Sequence, residues 1–373
     1  MKKREEEIKV AFVGGFLGSG KTTLLIEVGK KLVSEYGKRV AIITNDQGEV
    51  LVDTKTVRDT GLAATEVVRG CFCCKFLDLI ESADKILKEA NSDIILAEPV
   101  GSCMDISATV IGPLQMYYRD RFTLAPLLVL VDASGILGLS HEQNLSSPTK
   151  PAGYLISGQI HEAEVLGINK IDLISNRELG EVTDLVKKIN SRARILEFSA
   201  KTGAGLDRVI ALILQEEHQP YSFPKVDYDV YAEAEAELGW FNGSWTIIAE
   251  RRFEPRELIK DLLTEIAREV KKRRGKIAHL KLHFVTEKGR GKASLVVPDL
   301  GVDFLELIRI PGEARRGYFT LNARVKIDPK GLEESIRKSL EAVTSEYAAK
   351  YGNWEARCFA PAPPRPYYRV PRG

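Results

Sequence analysis

The feature that most constrains this chain is a glycine-rich segment, residues 15–22, which comes directly after a short apolar run at residues 8–13. The segment reads Gly-Phe-Leu-Gly-Ser-Gly-Lys-Thr and fits the phosphate-loop pattern. The apolar run predicts a buried strand and the residues after the segment predict a helix, so the motif has the strand–loop–helix setting that it requires. A chain built around this unit is expected to fold as a parallel sheet covered by helices.

Similar apolar runs recur along the first half of the chain and alternate with amphipathic stretches of helix length. The predicted strands lie at residues 8–13, 40–44, 94–97, 127–131, 165–168 and 195–198. Near-continuous apolar strands separated by helices are typical of a parallel sheet that is buried on both faces. We predict a doubly wound, mostly parallel α/β fold for residues 1–217, with a mobile loop in the Gly-, Ser- and Pro-containing segment between Asp132 and Asn169.

Residues 218–231 interrupt this pattern, because they carry Pro220 and Pro224 without a helical or strand period. We place a linker there and a smaller α+β domain at residues 232–373, for which a ferredoxin-like arrangement is one option. We expect this second domain to dock a partner or client protein. The proline-rich, basic tail at residues 361–373 fits either an ordered strap or a flexible end. The predicted strands of this domain lie at 245–249, 277–286, 292–297, 318–327 and 354–359, and its helices at 254–273 and 329–351.

Charge and composition limit the partners of the chain. It has 373 residues with 54 basic and 52 acidic side chains, so its formal net charge of +2 gives no global field toward nucleic acid or a membrane surface. No apolar stretch of the sequence approaches the roughly 20 residues that span a bilayer. Five cysteines, three of them within four positions, do not suit a disulfide framework in so long a chain. We therefore expect a cytoplasmic protein with reduced thiols and without nucleic-acid or membrane partners.

The phosphate-loop segment predicts a nucleotide site. Its glycines let the backbone wrap the phosphates with N–H groups, and the helix that follows adds a favourable field for an anion. Lys21 should reach the β- and γ-phosphates, and the Thr22 hydroxyl is expected on Mg²⁺. The spacing of the glycines differs from the dinucleotide fingerprint, so we reject an oxidoreductase. The residues expected to hold the nucleotide here are Gly15, Gly18, Ser19, Gly20, Lys21, Thr22 and Thr23.

A second motif predicts which base is bound. Residues 169–172 read Asn-Lys-Ile-Asp and follow an apolar strand, where a loop at the carboxyl edge of the sheet can reach a ligand. The Asp172 carboxylate can accept hydrogen bonds from the N1 and N2 donors of guanine, a pair that adenine does not present, which predicts GTP over ATP. The candidates for holding the base are Asn169, Lys170, Asp172, Ser199, Ala200 and Lys201.

Two strand ends predict the magnesium and hydrolysis chemistry. Glu98 ends an apolar run and is expected to hold Mg²⁺ through water together with Thr22, while the Gly101 backbone N–H is expected to reach the γ-phosphate. Asp46 ends the second strand, where it is placed to sense Mg²⁺ or to orient the attacking water, although a surface turn is an equally good interpretation. With Lys21, these residues form the predicted catalytic set.

Taken together, these motifs resemble the CobW-like branch of the metal-handling GTPases, which is related to UreG and HypB. The most specific shared feature is Gly-Cys-Phe-Cys-Cys, which lies between the phosphate loop and Glu98. The resemblance implies GTP hydrolysis with Mg²⁺, metal binding at the cysteine cluster, and transfer of zinc, cobalt or nickel to a client protein. The shared features lie at residues 15–22, 45–49, 70–74, 98–101 and 169–172.

The cysteine cluster also has a chemistry of its own. Cys71, Cys73 and Cys74 offer up to three thiolates in one loop, and thiolate sulfur favours Zn²⁺, Cu⁺ and similarly soft ions. Three ligands leave one position open, which suits delivery better than storage. Adjacent Cys73 and Cys74 could be unable to face one ion together, in which case Cys103 or Glu49 is a candidate further ligand. The competing interpretation is that the cysteines are small buried hydrophobic residues.

The leading hypothesis is a GTPase that delivers a transition metal, zinc first, to a client protein and has different metal affinities in its GTP and GDP states. One alternative is a regulatory GTPase that activates a partner enzyme, for instance a corrinoid-dependent one, without carrying metal. Another is a nucleotide-gated zinc buffer. No positively charged finger for the transition state is identifiable in the sequence, so hydrolysis could await a homodimer or a client.

Overall fold

The computed structural model describes residues 8–48, 52–142, 151–219, 223, 225–296 and 301–371. Its contacts divide the chain into two units, each made of more than one segment. This division into units does not test the linker and the domain limits expected from the sequence, which remain predictions. The first unit comprises Met1–Gln47, Gly61–Ala234 and Pro363–Gly373, and the second comprises Gly48–Thr60 and Glu235–Ala362.

The first unit is built on a parallel sheet. Its described strands are β1 (Ile8–Gly15), β2 (Val40–Asn45), β3 (Ala63–Val67), β4 (Ile94–Glu98), β5 (Phe122–Leu124), β6 (Leu128–Asp132), β7 (Val165–Asn169) and β8 (Arg194–Glu197). They follow the order β3-β2-β4-β1-β6-β7-β8, with β5 also beside β1, and every pairing is parallel. The sheet grows in both directions from β1, which makes the fold doubly wound. The predicted fold class is confirmed.

Helices connect these strands. Strands β2, β4 and β7 are buried along their whole length, as a sheet with helices on both faces requires. In the part of the chain that the structure describes, no helix is both long enough and apolar enough to cross a bilayer. The described helices up to residue 236 are α1 (Lys21–Ser34), α2 (Val52–Asp59), α3 (Phe76–Ala90), α4 (Gly112–Tyr117), α5 (Ala133–Glu142), α6 (Pro151–Glu162), α7 (Asn176–Ile189), α8 (Leu206–Gln215) and α9 (Tyr228–Ala236), with a π-helical turn at Ser107–Ile111 and a 3₁₀ turn at Ile171–Leu173.

Two features of this unit differ from the sequence prediction. The apolar pattern does not predict β3 and β5, because β3 is a partly buried run rich in alanine and β5 has only three residues. The mobile loop expected between Asp132 and Asn169 is wrong for the described residues there, since α5 and α6 occupy them. Helix α6 buries Leu155, Ile156 and Ile160, so packing overrides the low helix preference of its glycine and serine residues.

The second unit combines an antiparallel sheet with two long helices. Its described elements are β9 (Gly239–Phe253), α10 (Pro255–Lys272), β10 (Lys276–Thr286), β11 (Gly289–Leu295), β12 (Asp303–Arg309), β13 (Ala314–Lys326), α11 (Pro329–Glu346) and β14 (Ala349–Phe359). The sheet order β12-β11-β10-β13-β9-β14 contains β10-β13-β9-β14, and the connections β9-α10-β10 and β13-α11-β14 make this core ferredoxin-like. The predicted α+β class is confirmed, and the β11–β12 pair extends the sheet.

The two faces of the second sheet differ in chemistry because side chains alternate along each strand. One face packs on α10 and α11 through fully buried residues such as Trp245 and Leu282. The other face is polar, and α2 lies against it. Asp53 of α2 accepts from Lys281 Nζ across 2.7 Å and from Lys292 Nζ across 3.2 Å. Charged hydrogen bonds therefore attach the helix to the polar face of the sheet.

Both ends of α2 are attached to the same sheet. At its start the Val52 N–H donates to Asn322 Oδ1 across 2.9 Å, and at its end Asp59 pairs with His283 (2.6 Å) and Arg290 (3.3 Å). Burial lowers the pKa of His283 below its ordinary value, and the neighbouring Asp59 only partly offsets this effect. The helix that follows β2 along the chain therefore belongs to the second unit.

The Asp53→Asn substitution should destabilise the second unit, because it removes the negative charge that Lys281 and Lys292 share. The Lys292 side chain is only 8% exposed, whereas that of Asp53 is 18% exposed. Removing one partner of a buried pair costs about 3–5 kcal/mol, and partial solvation reduces the expected loss to about 2 kcal/mol. The midpoint of urea unfolding, followed by tryptophan fluorescence, measures this loss.

All three tryptophans of the chain lie in the second unit, so their emission reports the unfolding of that unit. The control is a substitution in the first unit. Asp78→Asn alters an exposed ion pair with Lys75 and should leave the unfolding midpoint almost unchanged. Equal midpoints for wild type and Asp53→Asn would mean that α2 adds nothing to the stability of the sheet. The tryptophans of the chain are Trp240, Trp245 and Trp354.

Candidate nucleotide and metal site

The carboxyl ends of the parallel strands form one edge of the first sheet. Strands β1, β2, β4 and β7 end there at Gly15, Asn45, Glu98 and Asn169. The register aligns these ends, with Thr44 of β2 directly beside Glu98 of β4. Ligands of open α/β sheets bind outside this edge. The fold therefore places the predicted nucleotide residues where such a sheet binds its ligands.

The phosphate loop depends on its glycines. Gly15 and Gly20 have φ values of +126° and +94°, which side chains rarely adopt. A Cβ on Gly15 would lie 2.5 Å from the Leu130 carbonyl oxygen, and a Cβ on Gly20 would lie 2.4 Å from Asn169 Nδ2. Gly18 also has a positive φ, of +81°. The loop can approach the neighbouring strand ends only because these positions carry no side chain.

Lys21 and Ser19 show what the loop can bind. The Lys21 ammonium is buried and donates to the backbone oxygens of Gly15 (2.8 Å) and Phe16 (3.3 Å), so it lies over the loop. The Ser19 hydroxyl is buried and has no hydrogen-bond partner among the described atoms. Gly20 is the N-cap of α1, and a helix N-terminus attracts anions. A cation, an orphaned hydroxyl and a helix N-terminus fit the phosphates of a nucleotide.

Thr22 and Glu98 form a buried pair of oxygen donors. Thr22 Oγ1 donates to Glu98 Oε1 across 3.1 Å, and both side chains are buried. A hydroxyl beside a carboxylate is the kind of ligand set that Mg²⁺ takes next to a nucleotide, so these residues fit the ion. Thr23 follows on α1 and is half-buried.

The other two residues of the predicted catalytic set lie on loops beside this pair. Gly101 packs so closely on the phosphate loop that a Cβ would lie 2.6 Å from the Leu17 side chain. The carbonyl oxygens of Gly101 and Cys103 both accept from Gln159 Nε2, at 3.0 and 2.8 Å. Asp46 is half-buried just past β2, and its N–H is bonded to β3 across 3.2 Å. No sequence motif indicates Gln159, which holds the loop after β4 from α6.

Asn169 connects the phosphate loop to the base loop. Its Nδ2 donates to the Ser19 carbonyl across 2.8 Å, and its Oδ1 accepts from the N–H groups of Lys170 (2.8 Å) and Ala200 (2.9 Å). Lys170 has a φ of +65°, and its ammonium bonds Asp132 Oδ2 across 2.6 Å. The three loops predicted to hold the nucleotide are therefore joined by one amide side chain.

The residues predicted to select the base lie around this junction. Asp172 is exposed on the 3₁₀ turn that follows Lys170, so its carboxylate is accessible to a ligand. Ser199 is buried and its hydroxyl accepts from the Thr202 N–H across 3.1 Å, which shapes the turn that carries exposed Lys201. The structure brings these residues to the same sheet edge as the phosphate loop.

The three clustered thiols face one another. Cys71 Sγ lies 2.8 Å from Cys73 Sγ and 3.2 Å from Cys74 Sγ, and Cys73 Sγ lies 3.9 Å from Cys74 Sγ. Neighbouring sulfurs of a tetrahedral zinc site with Zn–S bonds of about 2.3 Å are about 3.8 Å apart. Adjacent Cys73 and Cys74 therefore do face a common point, contrary to the concern raised by their adjacency. A small opening of the cluster gives the spacing that zinc requires.

Asn45 fixes the loop that carries these thiols. Its Nδ2 donates to the carbonyl oxygens of Val67 (2.9 Å) and Gly70 (2.7 Å), and its Oδ1 accepts from the Phe72 N–H (2.8 Å). Sequence reasoning does not assign it a role, although it ends β2 in the same way that Asn169 ends β7. An asparagine at the end of a buried parallel strand is the signal that could have identified it.

A fourth thiol, that of Cys103, influences the pKa values of Cys71 and Cys73. Cys103 is buried in the loop after β4. Its hydrogen bond, with those of Cys73 and Cys74, holds the pKa of the Cys71 thiol well below its usual range, while the pKa of Cys73 is raised. The other candidate ligand, Glu49, lies outside the described residues.

Two buried carboxylates lie behind the loop after β4. Asp105 accepts from Tyr228 Oη (2.7 Å) and from Arg369 Nε (2.8 Å), while Glu162 accepts from the Ser107 N–H (3.0 Å). Burial, reinforced by the charge of Asp105, raises the pKa of Glu162 to about 8. The region beside the thiols therefore holds one carboxyl group that stays largely protonated at neutral pH.

The parallel sheet, the phosphate loop and the Thr22–Glu98 pair define a P-loop nucleotide-binding protein. The model of the CobW/HypB/UreG nucleotide-binding domain matches residues 9–197. The chain belongs to the CobW/HypB/UreG family, and the resemblance noted from the motifs is confirmed.

Individual relatives match the same part of the chain. The zinc-regulated GTPase metalloprotein activator 1 of Dictyostelium discoideum is 29% identical over 220 residues, which cover 51% of this chain and 46% of that protein. The zinc chaperone YjiA of Escherichia coli K12 is 27% identical over 202 residues, covering 50% and 56%. The chain thus spans about half the length of the curated relatives it matches. The crystal structure of zinc(II)-bound YjiA GTPase aligns at 15% identity with a TM-score of 0.35, covering 90% of this chain and 99% of that one.

The Glu162→Gln substitution should change how stability depends on pH. Because the folded-state pKa of about 8 exceeds the ordinary value of 4.5, the neutral carboxyl stabilises the fold fully below pH 4.5, and this contribution is lost as pH rises to about 8. Over that range it should reduce the free energy of unfolding by up to about 1.4 kcal/mol per pH unit. Glutamine carries no charge and does not titrate. The free energy of unfolding of the variant should therefore increase relative to that of wild type as pH rises.

Urea unfolding at pH 5 to 8, followed by far-UV circular dichroism, measures this difference in stability. Glu178→Gln is the control, because the pKa of this exposed carboxyl is lowered by hydrogen bonds from Ser175 and it stays ionised across the range. A constant difference between wild type and Glu162→Gln from pH 5 to 8 would contradict the raised pKa.

Proposed function

We propose that this chain is a GTP-hydrolysing metallochaperone, which binds a transition-metal ion at Cys71, Cys73 and Cys74 and delivers it to a client protein. Zinc is the first choice, with cobalt and nickel as alternatives, because thiolates favour soft and borderline ions. The observation that carries this proposal is the convergence of three thiols within 4.8 Å in a loop held by the end of a strand of the nucleotide-binding sheet. The names of the relatives, a zinc chaperone and a zinc-regulated activator, support the choice of metal.

In this proposal each residue of the nucleotide site has a separate role in GTP hydrolysis. Lys21 holds the β- and γ-phosphates, and Thr22 with Glu98 holds Mg²⁺, which when bound neutralises charge on the phosphates. Gly101 donates its N–H to the γ-phosphate, and Asp46 orients the attacking water. These roles rest on the fit of a cation, a buried hydroxyl–carboxylate pair and a loop packed on the phosphate loop.

The link between hydrolysis and metal delivery is physical proximity along the chain. Asn45, which holds the cysteine loop, is the residue before Asp46, and Cys103 comes two residues after Gly101. A change at the γ-phosphate can therefore reach both segments that carry sulfur. A nucleotide shifts metal affinity only if it binds the two states differently, so GTP and GDP forms should differ in affinity for zinc. The second unit is the proposed docking surface for the client.

A competition titration tests the proposal. Reduced, metal-free protein is titrated with Zn²⁺, Co²⁺ and Ni²⁺ against a chelator, with Mg²⁺ and either a non-hydrolysable GTP analogue or GDP. The triple variant Cys71/Cys73/Cys74→Ser should lose tight binding. Cys358→Ser, which removes a half-buried thiol of the second unit, should behave as wild type. Phosphate release from GTP, abolished in Lys21→Ala, tests hydrolysis separately.

Each outcome selects one function. Thiol-dependent metal binding whose affinity differs between the GTP-analogue and GDP forms supports delivery. Delivery further requires that an apo-client acquire zinc faster from this protein than from free zinc in solution. Hydrolysis without thiol-dependent binding leaves a regulatory GTPase that activates a partner. Tight binding without accelerated transfer leaves a nucleotide-gated zinc buffer.

Asp172→Asn should exchange the base preference of the site. The carboxylate accepts from guanine N1–H and N2–H, and an amide can instead donate to the O2 of xanthine. We expect GTP affinity to fall on the order of 100-fold while xanthosine triphosphate gains by a comparable factor. Equilibrium binding of fluorescent analogues of both nucleotides measures the exchange. Asp184→Asn, an exposed site on α7, is the control, and an unchanged GTP affinity for Asp172→Asn would remove this residue from the base site.

A further inference from the structure

The last described segment of the chain lies along the cysteine loop, residues 68–75. We propose that this C-terminal strap, residues 363–371, is a lid that controls access to the thiols of Cys71, Cys73 and Cys74. The lid rests on the proposed function only for the identity of the ion that enters and leaves, because the contacts of the strap do not depend on metal. Both segments belong to the first unit.

Two backbone N–H groups of the strap donate to the cysteine loop. The Arg365 N–H donates to Cys74 Sγ across 3.1 Å, and the Tyr367 N–H donates to the Cys73 carbonyl across 2.8 Å. Between these two donors lies Pro366, which has no N–H. The strap therefore contacts one of the three sulfurs directly and contacts the backbone that positions a second one.

The burial of the three thiols shows from which side solvent reaches them. Cys71 and Cys73 are each only 3% exposed, whereas Cys74 is half-buried. Cys74 is thus the most accessible member of the cluster, and it is the one whose sulfur accepts from the Arg365 N–H. A metal ion or a competing ligand that approaches the cluster from solvent meets the strap beside Cys74.

An ion pair anchors the strap beyond the thiols. Arg369 Nε donates to Asp105 Oδ2 across 2.8 Å, and the Asp105 side chain is fully buried while that of Arg369 is 33% exposed. Tyr228 Oη donates to the same carboxylate oxygen across 2.7 Å. Removing one partner of a buried ion pair is costly, so this contact favours the closed position of the strap.

Aromatic packing and a further hydrogen bond complete the attachment. The centroid of the Tyr368 ring lies 5.4 Å from that of Phe76 and 5.2 Å from that of Tyr117. The first of these pairs is edge-to-face, a geometry that aromatic rings prefer. The Val370 N–H donates to the Ala108 carbonyl across 2.9 Å. The strap therefore lies on α3, on α4 and on the π-helical turn.

The composition of the strap suits a segment that opens and closes. Four of its nine residues are proline, which leaves five backbone N–H groups, and three of these donate to the cysteine loop or to the π-helical turn. The strap forms neither helix nor strand, so it can leave the surface without breaking a sheet. Because prolines keep a released chain extended, little conformational entropy is lost when the strap binds again.

The lid acts on metal exchange without supplying a metal ligand. When the strap is closed, the Arg365 N–H stabilises negative charge on the Cys74 sulfur, as donors around metal ligands do. The closed strap also lies in the path of competing ligands. When the strap opens, this donor is lost and Cys74 becomes accessible. A client that takes the ion must first displace the strap, which slows loss of the ion to other acceptors.

A matched pair of variants at one position tests the donor to sulfur. Arg365→Pro removes the N–H and suits the extended backbone expected before Pro366, whereas Arg365→Ala keeps the N–H and removes only an exposed side chain. The probe is Co²⁺ alone, bound to the reduced protein. Sulfur-to-Co²⁺ charge transfer should move to lower energy in Arg365→Pro at unchanged intensity, because a thiolate without its donor gives up electrons more readily. Arg365→Ala should match wild type.

Two chemically different anchors test the lid by the rate of metal release. Arg369→Ala and Tyr368→Ala should each release Zn²⁺ to excess chelator on the order of tenfold faster, because each removes one contact of the closed strap. Arg369→Lys should fall between wild type and Arg369→Ala, and Tyr368→Phe, which keeps the ring, should match wild type. Arg119→Ala, at a side chain that is 81% exposed, is the control. Affinity for a GTP analogue, measured in parallel, shows that each variant is folded.

Hydrogen exchange of metal-free protein tests the strap without any ion. In wild type the amides of residues 365–370 should exchange more slowly than those of a free chain, because three of them are bonded to the rest of the unit. Mass spectrometry should show exchange on the order of tenfold faster in Arg369→Ala and Tyr368→Ala. Peptides from α7 should keep the wild-type rate in both variants and serve as the internal control.

The outcomes separate the lid from the proposed function. Wild-type rates of zinc release and of amide exchange in Arg369→Ala and Tyr368→Ala would overturn the lid, as would strap amides that exchange like a free chain in wild type. An unshifted charge-transfer band in Arg365→Pro would overturn the donor to sulfur. If wild type binds no metal through its thiols but its strap amides are protected and the anchor variants release them, the lid over the thiols stands and the metallochaperone alone fails.

Discussion

Two asparagine amides connect the parts of the nucleotide and metal site, and the rest of the site depends on them. Asn169 bonds the phosphate loop, its own base loop and the turn at Ala200, while Asn45 bonds the end of β3 and the cysteine loop. An amide can both donate and accept, so one side chain at a strand end can satisfy loops that no sheet or helix connects. The spatial relation between phosphate loop, base loop and thiols is therefore set by side chains at the ends of β7 and β2.

The sequence predicts the local features of this protein well, because motifs and apolar periods are local. The phosphate loop, the Thr22–Glu98 pair and the base loop all lie at the strand ends expected from the alternation of strands and helices. The ferredoxin-like core also follows from the order of its strands and helices along the chain. The strand β12 is missed, since its charged residues mask the apolar alternation of a sheet edge.

Features that depend on distant partners cannot be predicted in this way. The strap donates from Arg365 to Cys74 across 291 positions of sequence, and α2 pairs through Asp53 with Lys281 across 228 positions. Neither partner is recognisable from its own neighbours. The convergence of Cys73 and Cys74 is similar, because the backbone conformation of a short loop, fixed by Asn45, decides where adjacent side chains point. Tertiary contacts determine which distant residues meet, and the periodicity of the sequence does not show these contacts.

The position of α2 has a consequence for how such a protein can be divided. Gly48–Thr60 leaves the nucleotide-binding sheet and belongs to the ferredoxin-like unit. The chain therefore passes from one unit to the other more than once. A fragment that ends before Glu235 contains α2 but lacks the sheet that carries Lys281 and His283. Asp53 and Asp59 of this helix then have no pairing partners from that sheet. Cutting the chain at one point therefore cannot separate the two units with all of their segments intact.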